Sequence, residues 1–510
     1  MANIFESDSQ QAKKPGILAG LVVLLFISII IYFVSRAVFI AYAQYGSFEK
    51  TLAIFFFISE AFVMFHAFGY FGEIYRVNRS RREPLSSVPL EQFPAVAILI
   101  PARHEPLTVL LETLTGCYNI DYPNKKIYLL DDSSEERFIE EARQAAEQFG
   151  ATVFRRKERH GAKAGIINDC LKTLNEKYVA IFDSDQIPLP NFLSHLVPIL
   201  EADERLAFIQ TPQFYSNLNA SKISLAADMQ QAVFYEYVCE GKSSNQAMIC
   251  CGTNVVLRRQ ALLDVGGFDE STVTEDFATS LDLHIKQWKT RYHNHVYVFG
   301  LGPENLGAYF KQQNRWAMGN ISVLRTILVK FFHNPFLLKP HQWFEYVVTG
   351  SYYFIGWTYL FLMLCPIIYI FFSVPSFFMN PAVYTLAFLP YLILSMAIFY
   401  SSMGFRRYDV KQVFKGQLLA FITLPVYLRA SILGLAGSKA GFQVTAKQGT
   451  KRIAYLELWP QITLWALNLA AITWGLNRLV YEQTAAVVIN LLWAMYHFVL
   501  FSSIFYFNEE

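Results

Sequence analysis

The sequence predicts an α/β domain with a mixed, mostly parallel sheet, inserted between α-helical membrane segments. Three observations predict it. Apolar runs of the length that crosses a bilayer, about 20 residues, lie at both ends of the 510-residue chain. Between them, at about 93–300, short β-branched or aromatic runs alternate with helical patterns such as "EERFIEEARQAAEQFG". Four of these runs end in polar residues, and in such sheets ligands bind beyond the carboxyl ends of the strands. The hydrophobic fraction of 54% is therefore local in origin. A net charge of +2 carries no nucleic-acid footprint, and six cysteines without metal or disulfide spacing are expected to be reduced thiols.

The chain opens with two candidate spans, about 16–41 and 51–73. The first follows Lys13 and Lys14 and has no small-residue cleavage signal, so it is expected to be an anchor. "RVNRSRRE" after the second puts the following region, and with it the N-terminus, in the cytoplasm. Further runs lie at about 342–373, 382–403, 457–478 and 483–506. The segment at about 413–437 has two readings. As a seventh span it would leave Lys439, Lys447, Lys451 and Arg452 outside, against the positive-inside bias, and its other flank, "GFRRYDVKQVFK", is basic too. A helix lying in the interface or dipping partly into it satisfies both flanks. The expectation is six spans, both termini inside, and a cytoplasmic loop at 438–452.

Five runs read as strands: "AVAILIPARHEP", "KIYLLDDSS", "ATVFRRK", "YVAIFDSDQIPLP" and "LAFIQTPQFY". Asp131 and Asp132 end one of them, Asp183 and Asp185 another. Aspartates after strands also cap helices and turns. In "FDSD", though, the middle residue points away and the flanking carboxylates can converge on one hard cation, Mg²⁺ or Mn²⁺, that bridges to a substrate diphosphate. Lys163 in "RHGAKAGIIND" suits the remaining phosphate charge, or is a solvated surface lysine. Thr274 before Glu275-Asp276 suits a helix cap; alternatively the carboxylate at that helix start is a general base. "QQNRW", Gln312 to Trp316, sits on an amphipathic stretch at about 304–335, where an Arg-Trp pair alone would be an interfacial anchor.

Together these motifs resemble the processive, membrane-integrated family 2 glycosyltransferases. The resemblance rests on Asp131, Asp183-Ser184-Asp185, Thr274-Glu275-Asp276 and the Q-x-x-R-W of Gln312, Arg315 and Trp316, in the family's order. "GFQVTAKQG" looks like the F-x-V-T-x-K gating loop of the cellulose-synthase branch, through Phe442, Val444, Thr445 and Lys447. Hyaluronan synthases are expected to carry a Trp-Gly-Thr-Arg type of loop, which is not found. "CCGTN" is similar to the Cys-Gly-Ser acceptor loop, with Cys251 and Gly252 matching and Thr253 in place of Ser. In "PARHE", Glu105 matches a nucleotide-binding turn, while Arg103 stands where the family has an aromatic near the uracil.

The resemblance implies a GT-A fold in an inverting enzyme, a UDP-sugar donor, UDP-glucose above others, and a β-glucan such as cellulose as product. It implies four regions: an N-terminal membrane region (1–80), a cytoplasmic catalytic domain (81–302), interface helices with Q-x-x-R-W (303–340) and a C-terminal channel region (341–510). Asp276, with Glu275, would be the base; Asp183 and Asp185 would hold Mg²⁺ or Mn²⁺. Glu105, Asp131, Asp132, Lys163, Asp183, Arg315, Thr445 and Lys447 would bind the donor. Cys251, Gly252, Thr253, Gln312 and Trp316 would bind the acceptor, a growing polysaccharide. Accessory secretion subunits are possible partners, the cell membrane is the expected location, and no fused cyclic-di-GMP-binding PilZ domain is expected. The alternatives are a β-1,3- or mixed-linkage glucan synthase and a chitin- or hyaluronan-type synthase. More distant ones are a polyprenyl-phosphate glycosyltransferase and a non-catalytic polysaccharide exporter.

Overall fold

The computed structural model describes residues 15–79, 85–376, 380–437 and 452–509. The chain divides into two compact units. One comprises Met1–Glu83, Trp357–Ile422 and Trp459–Ser503; the other comprises Pro84–Gly356, Thr423–Leu458 and Ile504–Glu510.

In the second unit the strands are β1 (Val96–Ala102), β2 (Lys125–Asp131), β3 (Thr152–Phe154), β4 (Tyr178–Ile181), β5 (Ile187–Pro188), β6 (Leu206–Gln210), β7 (Phe214–Tyr215), β8 (Val255–Arg258), β9 (Lys289–Tyr292) and β10 (Val298–Gly300). Seven of them form one sheet in the order β3-β2-β1-β4-β8-β6-β9. β1 pairs in parallel with β2, Val96 opposite Lys125, and with β4, Val96 opposite Tyr178. β8 runs antiparallel to both β4 and β6, so the sheet is mixed and mostly parallel. β5, β10 and β7 make a small second sheet.

The expected strand runs hold β1, β2, β3, β4 and β6. The β1 run is apolar throughout because both of its faces are covered. Val96, Ile98 and Ile100 pack into one core, with Leu110, Leu114, Ala142 and Leu196 from three helices. Ala97 and Leu99 face the other core, with Ile166, Ile167 and Leu171 of the helix Ala162–Leu171. Covered faces leave the carboxyl edge of the sheet as the place where polar side chains gather.

The first unit holds most of the apolar helical residues. Across the described chain, five helices are long and apolar enough to cross a membrane: Gly16–Tyr42, Ser47–Arg79, Pro340–Phe372, Ala382–Phe405 and Ala485–Phe507. The broken pair Val410–Ile422 and Leu424–Leu435 makes up to six if it counts as one span. The run expected at 457–478 does form a helix, Trp459–Glu482, but it is not among those that pass by length and composition. Polar residues lower its hydropathy, and several of them are inward-facing: Gln461, Asn468 and Arg478 are buried, and Arg478 donates to the carbonyls of Tyr369 and Ile370 at 2.8 and 2.7 Å. The segment 413–437 is thus two helices interrupted at Thr423 rather than one continuous span.

Candidate active site

A cavity of about 220 Å³ opens at the carboxyl edge of β1, β2 and β4. Its wall includes Glu105, Asp132, Lys163, Asp183, Asp185, Cys251 and Gly252. The same cavity is closed by Glu275, Asp276, Gln312, Arg315 and Trp316. Residues spread over two hundred positions of sequence therefore converge.

The Asp183-Ser184-Asp185 turn is held from below. Thr253 Oγ1 accepts from the Asp183 N–H at 2.9 Å, and Thr113 Oγ1 donates to the Ser184 carbonyl at 2.7 Å. Thr253 itself is buried and lies off the cavity wall, so its hydroxyl acts through the aspartate turn. Lys163, in the first turn of Ala162–Leu171, donates to Asp183 Oδ1 at 2.5 Å and to the Gly252 carbonyl at 2.8 Å. Burial pulls its pKa down, but the Asp183, Glu275 and Asp276 carboxylates outweigh this and leave it raised. Among the described residues, no three His, Cys, Asp or Glu side chains form a metal cage. The two carboxylates of Asp183 and Asp185 still suit a hard cation that completes its shell with phosphate and water.

Asp276 lies in the first turn of the helix Glu275–Ile285 and accepts from the Phe277 N–H at 2.8 Å. Burial, then the neighbouring Glu275 charge, raise its pKa to about 7, against the Phe277 N–H, Lys163 and Arg315. A carboxylate poised there suits a general base. Thr274 holds the N-cap position, but its side chain makes no cap bond. Instead the helix Leu306–His333 comes so close that a Cβ at Gly319 would meet Thr274 Cγ2 at 2.4 Å. Gln312, Arg315 and Trp316, earlier on that helix, line the cavity together with Glu275 and Asp276. Gly252, at φ +79°, passes equally close: a Cβ there would stand 2.9 Å from Asp276 Oδ2.

Two expected donor contacts separate. Asp131 is 2% exposed and off the cavity wall; its carboxylate accepts from Arg155 and from the Ser133 N–H. Asp132 reaches the wall and accepts from Arg156 at 2.8 and 2.9 Å and from Arg159 at 2.9 Å. Arg103 also lines the cavity, and among the described residues its buried Nε has no hydrogen-bond partner. Phe442, Val444, Thr445 and Lys447 lie outside the described residues. Residues that sequence reasoning passed over include Arg159, Gln186, Gln213 and Tyr215. Tyr215 and Gln312 line the same cavity. The aromatic pair after "TPQ", Phe214-Tyr215, is the available signal, since it follows a strand at the same sheet edge.

Residues 94–319 match the model of the glycosyltransferase-like family 2. The chain is 30% identical over 451 residues to the UDP-forming cellulose synthase catalytic subunit of Pseudomonas fluorescens, covering 85% of this chain and 59% of that protein. It is 27% identical to the UDP-forming cellulose synthase 1 catalytic subunit of Komagataeibacter xylinus, covering 89% and 61%. The chain thus spans about three fifths of the length of these relatives. Among solved structures, a mannosyltransferase from Pyrobaculum calidifontis, in complex with GDP-Man and Mn²⁺, superimposes with a TM-score of 0.50 at 16% identity. It covers 76% of this chain and all of that one, a likeness of fold. Residues 94–319 thus match the glycosyltransferase-like family 2 model on a GT-A type of fold, and the chain is similar over most of its length to cellulose synthase catalytic subunits.

Proposed function

We propose that this chain polymerises glucose from UDP-glucose into a β-linked glucan, with inversion at the anomeric carbon, on the cytoplasmic side of the cell membrane. The observation that carries this reading is the convergence of Asp276 with Lys163, Asp183, Gln312 and Arg315 on one cavity. Asp276 is the base that takes the proton from the acceptor's terminal hydroxyl as that oxygen attacks the sugar. The Lys163 ammonium and the Arg315 guanidinium lie on the wall where the diphosphate charge collects, and they stabilise the departing UDP. Asp183 and Asp185 would hold a divalent cation, which when bound neutralises further diphosphate charge. Trp316 offers a ring face to the acceptor sugar. Thr445 and Lys447, in the stretch that also bears Phe442 and Val444, contact the donor diphosphate, and the apolar helices carry the product across the membrane. Lys447→Ala and Thr445→Ala then slow turnover; full activity in both would make the loop a linker.

The test is Asp276→Asn in purified protein in lipid bilayers with radiolabelled UDP-glucose. The variant is expected to lose polymer synthesis while still binding UDP. Near wild-type synthesis would sink the assignment of the base.

A further inference from the structure

One imidazole ties together the two segments that deliver Lys163 and Asp276. His160 precedes the Lys163 helix, separated from it by Gly161 in the left-handed conformation. Its Nδ1 lies 2.6 Å from Glu270 Oε2 and its Nε2 lies 2.8 Å from Asp169 Oδ2. Asp169 is on the Lys163 helix, while Glu270 is on the segment that runs into the Asp276 helix. A neutral imidazole has one N–H and cannot donate to both carboxylates, so this pair of contacts requires the imidazolium.

Asn168 closes the same seam. Its amide donates to the Phe268 carbonyl and to Glu270 Oε1, both at 2.8 Å, and accepts from the Phe268 N–H at 2.7 Å. There is no slack in the backbone: a Cβ at Gly161 would stand 2.2 Å from Glu270 Oε2, and one at Gly165 would stand 2.0 Å from the His160 carbonyl. Arg156 continues the chain of contacts to the cavity wall, donating both to the His160 carbonyl and to Asp132.

We propose that His160 is a positioning residue for glycosyl transfer, its imidazolium clamping the Lys163 helix to the segment that leads into Asp276. The proposal rests on the reading of this cavity as a glycosyl-transfer site. The charged groups facing the ring are Glu270 from the incoming segment, Asp169 with Lys172 from the helix, and Arg156 from the stretch after β3. The hydrogen bonds to Glu270, then to Asp169, raise the His160 pKa above its ordinary value. A raised value means that the clamp is whole at lower pH and is lost as pH rises through it. Activity then has an alkaline limb that belongs to His160, on a residue that touches no reacting atom.

The experiment measures UDP release from UDP-glucose against pH by the full chain in bilayers, with melting temperature recorded alongside. His160→Gln is expected to be about fivefold slower at neutral pH, the equivalent of an ion pair of about 1 kcal/mol, and to lose the alkaline limb. Glu270→Gln keeps an acceptor for Asn168 and is expected to move that limb to lower pH. A purely structural role would lower the melting temperature and leave the limb where it is. If His160→Gln does not fold, the limb in Glu270→Gln decides alone. An active wild type whose limb is unmoved in the folded variants overturns the clamp. A wild type that releases no UDP overturns the glycosyl-transfer reading and the clamp with it.

Discussion

The Asp276 carboxylate and Gly252 stand so close that a Cβ on the glycine would lie 2.9 Å from Asp276 Oδ2. Gly252 also sits at φ +79°, a region that L side chains rarely adopt. Its carbonyl accepts from Lys163, so the backbone at this point spaces the ammonium from the carboxylate.

Gly252→Ala therefore displaces the base, the ammonium or both. A displacement of about 1 Å in a catalytic constellation costs on the order of a hundredfold in rate. The expected outcome is a loss of kcat of that size, read by UDP release, with a folded protein by circular dichroism.

The pH dependence follows from Asp276. With a pKa raised to about 7, the proposed base is ionised only above that value, so activity is expected to rise with pH through about 7. Stability moves the other way. A carboxyl whose folded pKa exceeds its unfolded value loses stability as pH rises from about 4 towards 7, because the unfolded chain ionises first. Asp276→Asn should then melt higher than wild type at pH 8, with the gap closing at pH 4, in paired thermal melts.

Chelation tests the aspartate pair. Complete removal of divalent cations is expected to abolish polymer synthesis, with Mg²⁺ or Mn²⁺ restoring it. Asp185→Asn should raise the cation concentration needed. Synthesis that survives chelation would leave Asp183 as the counter-ion of Lys163 alone.

Tyr215 tests the acceptor side. Tyr215→Phe removes the hydroxyl of a residue that lines the cavity with Gln312, and with it one hydrogen bond offered to the acceptor. One neutral hydrogen bond is worth about 1 kcal/mol, so acceptor use should weaken by about fivefold, measured as the acceptor KM, with the donor KM unchanged.

Much of this architecture is legible in the chain because each signal is local. β1 is a run apolar on both faces, and the aspartates of β2 and β4 follow directly from the strand ends. β8 is harder to see: four residues inside "TNVVLRRQ" become a strand only because β4 and β6 flank them antiparallel. Asp131 and Asp132 are neighbours with the same chemistry, and partners about 24 residues away, Arg155 for one and Arg156 with Arg159 for the other, tell them apart. Thr253 reads as a contact residue in sequence, yet its hydroxyl accepts from the Asp183 amide. Such choices are made by partners distant in sequence, which local patterns do not carry.

The central claim is that this cavity builds a β-linked glucan from UDP-glucose. The most direct measurement is digestion of the product made in vitro by purified protein in bilayers, using linkage-specific glucanases after a screen of UDP-sugar donors. The expected result is a polymer made from UDP-glucose, cleaved by a β-1,4-glucanase and absent in Asp276→Asn. Transfer of a single sugar to lipid, or a polymer made only from another donor, would contradict it.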